Sequence, residues 1–428
     1  MIYYFKKEIL VRKEHFGSLI LMLDGRRYVV DNKYFEILKN IHGKSPDQTA
    51  RITGTKVKEF QVLLDDLRQK DVINIKKTNY TPKMVENRFI SNDCLSFPRT
   101  VYWECTQQCN YRCIHCYSES GGRINAPKLP WSAVKKFIDE LSEHGVEFLC
   151  IGGGEPLMYK NIYKVLDYCR KQKVMVEMTT NASLLDQRAV KKLKAAGLKF
   201  IQISIDGASK ETYEKIRRNG NFEKMLQNIK NLSQYFTVSI CTVVTKLNIK
   251  EINDLITLSK SIGAKHYRVL PLMDVGRARS KNNLQITKKQ LSELNKHLSY
   301  LKKKERRIHI QLNENLILPT RKNISWMPLE HYGCSAGRST CGIDAYGKVY
   351  TCSYLRDKKL IAGELKKKSL QQIWAESPVM ELVRTISKLE LKCMKCSYLE
   401  NCRGGCRAAA YLKTGRLNAT DPFCTIEV

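Results

Sequence analysis

The sequence has no long apolar segment. Hydrophobic residues make up 43% of its 428 positions, yet no run approaches the ~20 apolar residues of a membrane-spanning helix. The first residues also lack the apolar core of a secretory signal, because Lys6, Lys7 and Glu8 follow directly after Phe5. We therefore expect a cytoplasmic protein that has no membrane partner.

Acidic residues are also scarce. The chain carries 74 lysines and arginines against 42 acidic residues, which gives a formal net charge of +32. Such a charge suits nucleic acid, an anionic surface or an acidic polypeptide as partner. A lysine-rich solvated surface explains the charge equally well, so the charge alone does not choose a function.

Cysteine, in contrast, is abundant. Sixteen cysteines in a chain expected to lie in a reducing compartment are poor candidates for disulfide bonds. Ligation of metal ions or iron–sulfur clusters is therefore the leading explanation for them.

The chain divides into regions of different pattern. Residues 1–77 predict a small winged-helix-like unit, with a hairpin that turns at Asp24-Gly25, two amphipathic helices and a closing strand. Residues 78–98 are polar, contain two prolines and predict a linker. Residues 280–332 predict a bridging helical region. Residues 333–428 predict a cysteine-rich domain that folds poorly without metal, because it has few apolar residues.

Strands alternate with helices between these flanking regions, over residues 99–279. The predicted strands cover residues 101–106, 148–152, 174–179, 200–205, 237–244 and 266–270. Six such units predict an α/β fold with an open, partial (β/α)6 barrel similar to a TIM barrel. Functional side chains are then expected at the carboxyl ends of the strands.

Three cysteines follow the first predicted barrel strand in the pattern Cys109-x3-Cys113-x2-Cys116. Three thiolates on one loop can hold three irons of a [4Fe–4S] cluster and leave the fourth iron open. A structural zinc site needs four ligands, so this loop alone would be one short. The pattern favours a cluster.

A glycine-rich turn, Gly152-Gly153-Gly154-Glu155-Pro156, follows the second predicted strand. Glycines let backbone carbonyls approach a ligand closely, and a carboxylate beside them can accept from an ammonium group. An ordinary turn between strand and helix explains this motif equally well when it is taken alone.

Together the two motifs resemble the radical S-adenosylmethionine superfamily over residues 99–279. The resemblance implies that S-adenosylmethionine chelates the open iron and is cleaved to a 5′-deoxyadenosyl radical, which removes a hydrogen atom from the substrate. It implies the amine site at Gly153, Gly154 and Glu155, the ribose site at Ser204 and Asp206, the carboxylate partner at Arg217 and the adenine side at Val269 and Leu270. A guanidinium suits a bidentate contact with a carboxylate. Asn181 is a further candidate lining residue, although a simple turn asparagine is an equal alternative.

The C-terminal cysteines form a second dense array. Read alone, their Cys-x2-Cys and Cys-x3-Cys pairs suggest zinc as readily as a cluster. Their spacing resembles the SPASM extension of radical enzymes over residues 333–428. That resemblance implies two auxiliary [4Fe–4S] clusters and three in total, with one held by Cys334, Cys341, Cys352 and Cys406 and the outer one by Cys393, Cys396, Cys402 and Cys424. Both would be fully ligated, which favours electron transfer.

Five cysteines remain outside these sets. Cys150, Cys169 and Cys241 lie in apolar strand or helix contexts and are interpreted as core residues. Cys94 and Cys105 have no assigned role, although Cys105 lies just before the cluster loop.

Two features bear on the substrate. Ser353 follows Cys352. In the sulfatase-modifying members an aspartate at this position serves as general base, which serine cannot do, so formylglycine formation is disfavoured. Residues 2–77 resemble the peptide-recognition element of peptide natural-product maturases. This resemblance implies that a precursor peptide adds its leader as a strand to an exposed edge near residues 18–23. The positive charge would attract an acidic leader, and a flavodoxin or ferredoxin would supply electrons.

These features lead to a hypothesis of peptide cross-linking. The enzyme would abstract a hydrogen atom from a ribosomally made peptide and form an intrapeptide bond, a thioether as first choice and a carbon–carbon bond as second. An epimerase and a small-molecule enzyme of a haem-like pathway are alternatives. A DNA-binding cluster sensor fits poorly, because the helix over residues 57–69 mixes Lys58 and Arg68 with Glu59, Asp65 and Asp66. No nucleic-acid partner is expected, and the sequence names no catalytic base.

Overall fold

The structure is a computed structural model that describes residues 1–6, 9–22, 26–122, 129–279, 283–312, 333–386 and 389–426. The predicted Asp24-Gly25 turn lies outside these residues, as does the predicted bridging region beyond residue 312. No helix within the described ranges is long and apolar enough to cross a membrane.

The N-terminal residues form a unit with its own apolar core. Its strands and helices are β1 (Tyr4–Phe5), β2 (Ile9–Glu14), β3 (Gly17–Met22), β4 (Arg27–Val30), α1 (Phe35–Asn40), α2 (Pro46–Thr53), α3 (Val57–Gln69) and β5 (Ile73–Asn74). Ser45 begins α2 through a capping box with Gln48, in which each side chain bonds the other's backbone amide. Phe60, Leu64 and Leu67 recur at helical spacing in α3 and are buried in the core of the unit.

The sheet of this unit corrects the predicted docking edge. Residues 18–22 belong to β3, which pairs with β4 on one side and β2 on the other. They are therefore a central strand, which is consistent with the burial of every residue of β3. Among the described residues, the far edges of β4 and β6 have no strand partner. These two edges replace residues 18–23 as candidates for strand addition.

The segment predicted as a linker is partly ordered into the same sheet. β6 (Lys83–Glu86) pairs in parallel with β2 and completes the order β4-β3-β2-β6. Val85 is buried, and the Lys83 ammonium donates to the Ser142 hydroxyl at 2.8 Å. The polar composition concealed this short strand because its pairing depends on β2, which is more than sixty residues away in sequence.

The central element is a ten-stranded sheet built around the predicted barrel. Its six barrel strands are β7 (Thr100–Thr106), β8 (Phe148–Gly153), β9 (Val176–Thr180), β10 (Phe200–Ser204), β11 (Thr237–Val244) and β12 (His266–Pro271). They pair in parallel and in chain order. This arrangement confirms the α/β fold and the partial barrel of six strand–helix units.

Two further parallel strands extend the barrel at its edges. β13 (His309–Leu312) joins β12, and β14 (Thr340–Ile343) joins β7. β15 (Lys348–Tyr350) and β16 (Ile361–Glu364) then continue the sheet in antiparallel pairing. The cysteine-rich region is therefore continuous with the barrel sheet through β14.

Helices cover the outside of the barrel and complete the C-terminal region. They are α4 (Trp131–Glu143), α5 (Ile162–Lys171), α6 (Gln187–Ala195), α7 (Lys210–Ile216), α8 (Phe222–Ile229), α9 (Ile252–Ser261), α10 (Lys288–Lys304), α11 (Leu370–Glu376), α12 (Pro378–Arg384), α13 (Leu391–Met394), α14 (Leu399–Cys402) and α15 (Arg407–Thr414). Leu141, Val165 and Ile256 are among the helical residues that bury against the sheet. The opposite, inner face of the barrel strands is left to form a cavity.

Candidate active site

A cavity of about 1000 Å³ occupies the barrel and reaches both flanking regions. Its wall includes Cys109, Cys113 and Cys116 of the cluster loop. The loop is held against the end of α7 by backbone bonds, such as that from the Ile114 amide to the Ile216 carbonyl at 2.9 Å. The three predicted cluster cysteines therefore face one shared space at the carboxyl end of β7.

The glycine-rich turn packs directly on the cluster loop. The Gly154 amide donates to the Thr106 carbonyl at 2.7 Å, and the Glu155 amide donates to the Gln108 carbonyl at 2.8 Å. A Cβ on Gly154 would lie 2.0 Å from the Gln108 oxygen, and Gly153 has φ +107°. Glycine is needed here because the backbone of one loop touches the backbone of the other.

Glu155 is buried and supports the site from behind. Its Oε1 accepts from the Thr180 hydroxyl at 2.7 Å and from the Leu157 amide at 3.2 Å, and its Oε2 accepts from the Asn181 amide at 2.9 Å. Burial raises the pKa of Glu155, and these hydrogen bonds oppose the rise. Because a carboxylate offers about four acceptor positions, one position remains for the predicted ammonium contact.

Asn181 joins the end of β9 to the cluster loop. Its Nδ2 donates to the Asn110 Oδ1 at 3.0 Å and lies 4.0 Å from the Cys109 sulfur. Its Oδ1 accepts from the Ser183 amide at 2.9 Å. The side chain lines the cavity, so Asn181 both faces the cavity and fixes the position of its neighbours.

Arg217 fits the predicted partner of an anionic ligand. Its Nη2 lies 2.6 Å from the Asp206 Oδ2, and its Nη1 lies 3.9 Å from the Cys113 sulfur. Its Nε is buried without a hydrogen-bond partner among the described residues. Since an unpaired buried donor is costly, this orphaned guanidinium edge in the cavity wall suits a carboxylate ligand.

Asp206 occupies a position behind Arg217, not in the cavity wall. It accepts from the Val243 amide at 2.8 Å and lies 3.1 Å from the His115 Nε2. Burial alone would raise its pKa, but the charges of Arg217 and His115 outweigh burial and hold the pKa of Asp206 well below its usual range. The structure therefore places Asp206, predicted to face the ribose, behind Arg217 and outside the cavity wall, whereas Ser204 lines the cavity.

The two residues of β12 that were predicted to face the adenine point to opposite faces of the strand. Leu270 lines the cavity, whereas Val269 is fully buried in the core on the opposite face of the strand. Successive strand side chains point to opposite faces, so only one of the pair can reach the ligand. The same alternation places Cys150 and Cys241 in the cavity wall, in contrast to the core position predicted for them.

Several polar residues of the cavity wall were not predicted from the sequence. His115 sits inside the cysteine motif, and its Nδ1 is buried without a hydrogen-bond partner among the described residues. Glu104 is buried at the end of β7, where it pairs with Arg356 and accepts from the Gln107 Nε2 at 3.0 Å. The position of His115 between two cysteines was a usable signal, whereas the Glu104 pair joins residues far apart in sequence.

Three of the four cysteines predicted for the inner auxiliary cluster reach the same cavity. Cys334, Cys352 and Cys406 line it. A hydrogen bond from the Cys406 thiol lowers the pKa of Cys334 below that of an ordinary thiol. Cys341 does not line the cavity, because it points to the other face of β14. The structure therefore brings three of the four predicted ligands to the cavity and places Cys341 in the core.

Three of the four cysteines predicted for the outer cluster, Cys393, Cys402 and Cys424, lie near one another. Cys424 and Cys393 both contribute to the raised pKa of Cys402, after the larger effect of burial, which brings that pKa to about 11. The Cys393 sulfur lies 3.6 Å from the Thr420 hydroxyl. Asp421 connects this set to the inner one, since it accepts from the Cys406 amide at 2.6 Å.

The donor set bears on the alternative of a single metal ion. No group of three histidine, cysteine or acidic side chains within the described residues converges closely enough to hold one ion.

Two family profiles match the chain. The profile described as "Radical SAM superfamily" matches residues 103–258, and the SPASM profile, described as "Iron-sulfur cluster-binding domain", matches residues 334–407. The two matches cover the cluster loop with the glycine turn and most of the C-terminal cysteines.

Two curated proteins are similar over most of their length. An AdoMet-dependent heme synthase from Methanosarcina barkeri is 32% identical, over 76% of this chain and 96% of that protein. The mycofactocin maturase MftC from Mycobacterium tuberculosis is 30% identical, over 81% of this chain and 87% of that protein.

A solved structure shares the whole fold. Streptococcus suis SuiB bound to the precursor peptide SuiA has a TM-score of 0.78 at 19% identity, over 99% of this chain and 100% of that chain. Because the match spans almost the entire chain, the shared fold includes the N-terminal unit.

Proposed function

Because this chain belongs to the radical SAM superfamily and carries a SPASM iron–sulfur domain, we propose that it is a peptide maturase. It binds a ribosomally made precursor peptide, abstracts a hydrogen atom from a core residue and forms an intrapeptide cross-link, with a thioether as first choice and a carbon–carbon bond as second. The observation that carries the proposal is the single cavity shared by the cluster loop, Arg217 and the N-terminal unit.

The cofactor residues are assigned on the geometry of the loop. Cys109, Cys113 and Cys116 would hold a [4Fe–4S] cluster, and Arg217, whose side chain lines the cavity, would bind the carboxylate of S-adenosylmethionine. When bound, the cluster and S-adenosylmethionine together supply hydrogen-atom abstraction. The chain's own contribution is orientation, since Asp206 fixes the Arg217 guanidinium at 2.6 Å.

The remaining binding residues follow from their position in the wall. The backbone of Gly153 and Gly154, one acceptor position of Glu155 and the side chain of Asn181 would surround the amine. Ser204 and Leu270 would face the nucleoside, since both line the cavity. Val269 is not carried forward, because its side chain belongs to the core.

The N-terminal unit supplies the proposed peptide contact. A leader would add a strand to the free edge of β4, where backbone amides and carbonyls give affinity and side-chain pockets give specificity. β4 begins at Arg27, and both Arg27 and Arg26 line the cavity. A peptide on this edge would therefore continue into the space beside the cluster loop, and an acidic leader would meet these two arginines.

The unit is fixed to the barrel at the same place. The Arg27 Nε lies 2.9 Å from the Glu147 Oε1, and Glu147 is fully buried. Fixing the strand at this point would hold the leader at a constant distance from the cluster loop. The two auxiliary clusters, with three in total, and an external flavodoxin or ferredoxin would carry electrons.

A second candidate function is modification of a tetrapyrrole. The specific observations are the 32% identity to an AdoMet-dependent heme synthase and the cationic side chains of the cavity wall. Arg268, Arg277, Lys302 and Arg99 are among these cations, and they could pair with propionate carboxylates. This function would leave the open edge of β4 without a purpose.

The two functions are separated by one set of incubations. The anaerobically reconstituted enzyme, with reductant and S-adenosylmethionine, is given candidate peptides from short open reading frames near its gene or an iron tetrapyrrole with propionate groups. Loss of two hydrogen atoms from the peptide supports a cross-link, and uptake of solvent deuterium at unchanged peptide composition indicates epimerisation. Turnover of the tetrapyrrole with an unchanged peptide would overturn the peptide proposal.

A further inference from the structure

The cavity extends through the barrel to the end that lies opposite the cluster loop. The first residues of six parallel strands all line it, namely Thr100, Phe148, Phe200, Thr237, His266 and His309. Because these strands run in the same direction, their first residues mark one end of the barrel. We call this end the amino rim.

The amino rim is in contact with solvent. Lys302 and His309 are exposed at the surface and also line the cavity. Further inside, Tyr102 in the middle of β7 is 38% exposed, although β7 is paired on both sides. A side chain in the middle of a paired strand keeps such exposure only where the cavity has room for water. Within the described part of the chain, the cavity is therefore open at the amino rim.

The amino rim carries a concentration of positive charge. Four cationic side chains line the cavity there, namely Arg26, Arg27, Arg99 and Lys302. Burial and, after it, the charge of Lys302 lower the pKa of His309, so Lys302 lies beside the first residue of β13. These cations come from the N-terminal unit, from the start of β7 and from the end of α10, and they therefore surround the opening on more than one side.

The nearest carboxylate in the cavity wall already has a cationic neighbour. Glu177, near the start of β9, is paired in register with Phe200 of the rim. Burial opposes the charged form of Arg268, but the charge of Glu177 holds the pKa of Arg268 above its usual range. Glu177 and Arg268 thus offset each other, and the four rim cations remain in excess.

Buried partners fix two of the rim arginines. Glu147 is fully buried and does not line the cavity. Its Oε1 lies 2.9 Å from the Arg27 Nε, and its Oε2 lies 3.4 Å from the Arg99 Nε. The Arg26 Nη1 donates to the Lys70 carbonyl at 2.8 Å. Side chains that are ordered in advance lose less conformational entropy when they bind a ligand, so the rim is suited to bind carboxylates.

We propose that the amino rim is the entrance for the substrate peptide, where its cations bind carboxylates of an acidic leader and the core then reaches the cluster loop through the barrel. This inference rests on the peptide substrate of the proposed function. β4 begins at Arg27 on the rim, so a leader strand added to β4 lies beside the opening. A cationic opening with low-dielectric walls raises the local concentration of an acidic ligand.

The length of the barrel sets a spacing in the substrate. β7 has seven residues from the rim to Thr106 beside the cluster loop, which corresponds to about 20 Å. An extended peptide covers this distance with about six residues. The modified residue should therefore lie about six residues or more from the nearest acidic residue of the leader. A modified residue directly beside the acidic segment would contradict entry by this route.

The carboxylate site is tested by binding of an acidic probe to the reconstituted full-length protein. The probe is fluorescein-labelled hexaglutamate, and labelled hexaglutamine is the neutral comparison. Lys302→Glu should weaken hexaglutamate binding about fivefold or more at low salt, because an attraction becomes a repulsion. Lys302→Gln should give a smaller loss, and hexaglutamine should bind weakly to every variant.

Lys303→Glu is the matched control for Lys302→Glu. Lys303 is exposed on the same helix, does not line the cavity and gives the same change in net charge. The proposal expects hexaglutamate affinity to stay near that of the natural chain in this control. Equal affinities in the two variants, whether both lowered or both unchanged, would overturn the site.

Amide hydrogen exchange of the hexaglutamate complex locates the probe. Exchange should slow in residues 26–30 and 302–311, while the cluster loop over residues 107–121 should be unchanged. Slower exchange confined to the cluster loop would overturn the entrance. Neither binding measurement depends on turnover of a peptide, so failure here is distinct from failure of the maturase proposal.

Discussion

The two ends of the cavity are built in different ways. At the carboxyl ends of the strands, the cluster loop, the glycine turn and Asn181 are joined by direct hydrogen bonds, such as that from the Gly154 amide to the Thr106 carbonyl. The N-terminal unit has a separate apolar core and a buried ion pair within β2, in which the Arg12 Nε lies 2.7 Å from the Glu14 Oε1. The Arg12 Nη1 then donates to the Gly145 carbonyl at 3.0 Å.

Substitutions at the two ends of the cavity should therefore have different effects on activity. Because the groups at the cluster-loop end hold one another, a change in one should displace the others and abolish chemistry with every substrate. Because the N-terminal unit is an independent core attached at one face, a change on its outer strand should alter peptide affinity alone. Reductive cleavage of S-adenosylmethionine without peptide is the readout that distinguishes the two ends.

The largest effect is expected for Gly154→Ala. The added Cβ would meet the Gln108 carbonyl oxygen at 2.0 Å, so the glycine turn and the cluster loop must move apart. A displacement of this kind can cost about 100-fold in rate. Peptide-free cleavage of S-adenosylmethionine, measured as 5′-deoxyadenosine, should fall by at least that factor. Gly122→Ala is the control, because nothing lies within 4 Å of its added Cβ; equal rates in the two variants would contradict the account.

The next effect is expected for Asp206→Asn, which leaves Arg217 without its charged partner. Breaking a buried pair costs about 3–5 kcal/mol, and the dissociation constant for S-adenosylmethionine should rise about tenfold or more. Asp254→Asn, an exposed aspartate in α9, is the control. Unchanged affinity in Asp206→Asn would exclude the supporting role of this carboxylate.

The pH dependence of that variant has a defined sign. The folded pKa of Asp206 is depressed, so its stabilising effect is present above the unfolded value of about 3.9 and is lost only as the pH falls below it. The stability difference between the natural chain and Asp206→Asn should therefore stay constant from pH 8 to about pH 5.5. Melting temperatures of the anaerobic proteins across this range measure it, and a difference that disappears by pH 6 would contradict the assignment.

A moderate effect, confined to the peptide, is expected at the edge of β4. The N–H direction alternates along a strand, so one of Tyr28 and Val29 directs its amide to the free edge. Proline at that position removes the donor without breaking the ladder to β3. Peptide affinity should fall about tenfold through lost backbone bonds, with peptide-free cleavage unchanged. Proline at the other of these two positions removes an amide that bonds β3. This variant therefore controls for loss of the pairing between β4 and β3. Full peptide affinity in both variants would exclude β4 as the docking edge.

The smallest effect is expected for Cys169→Ala. Cys169 is fully buried in α5 and belongs to the barrel core. Its loss should cost about 1 kcal/mol in stability, with iron content, peptide affinity and cleavage unchanged. Loss of iron from this variant would mean that the division between core and cluster cysteines is wrong.

The sequence predicted what local spacing determines. The cluster loop and the glycine turn each follow one strand, so their residues are neighbours in sequence as well as in space. The six barrel strands and the helix α3 were likewise visible as periodic patterns, and the observed bounds agree with the predictions within two residues.

Residues that depend on pairing between distant strands were not predictable in this way. The orientation of Cys341 is decided by its register with Val101, about 240 positions earlier. The edges of the N-terminal sheet depend on the pairing of β6 with β2 and of β4 with β3. Val269 shows the same limit on a smaller scale, since an apolar pair in a strand does not reveal which member faces the cavity.

The central claim is tested most directly by following one hydrogen atom. The precursor peptide is made with deuterium on the carbon to be cross-linked and is incubated with reconstituted enzyme, reductant and S-adenosylmethionine. The account predicts that deuterium appears in 5′-deoxyadenosine and that the peptide becomes lighter by the two atoms lost in the new bond. Formation of 5′-deoxyadenosine without deuterium from any peptide position, with the peptide unchanged, would contradict it.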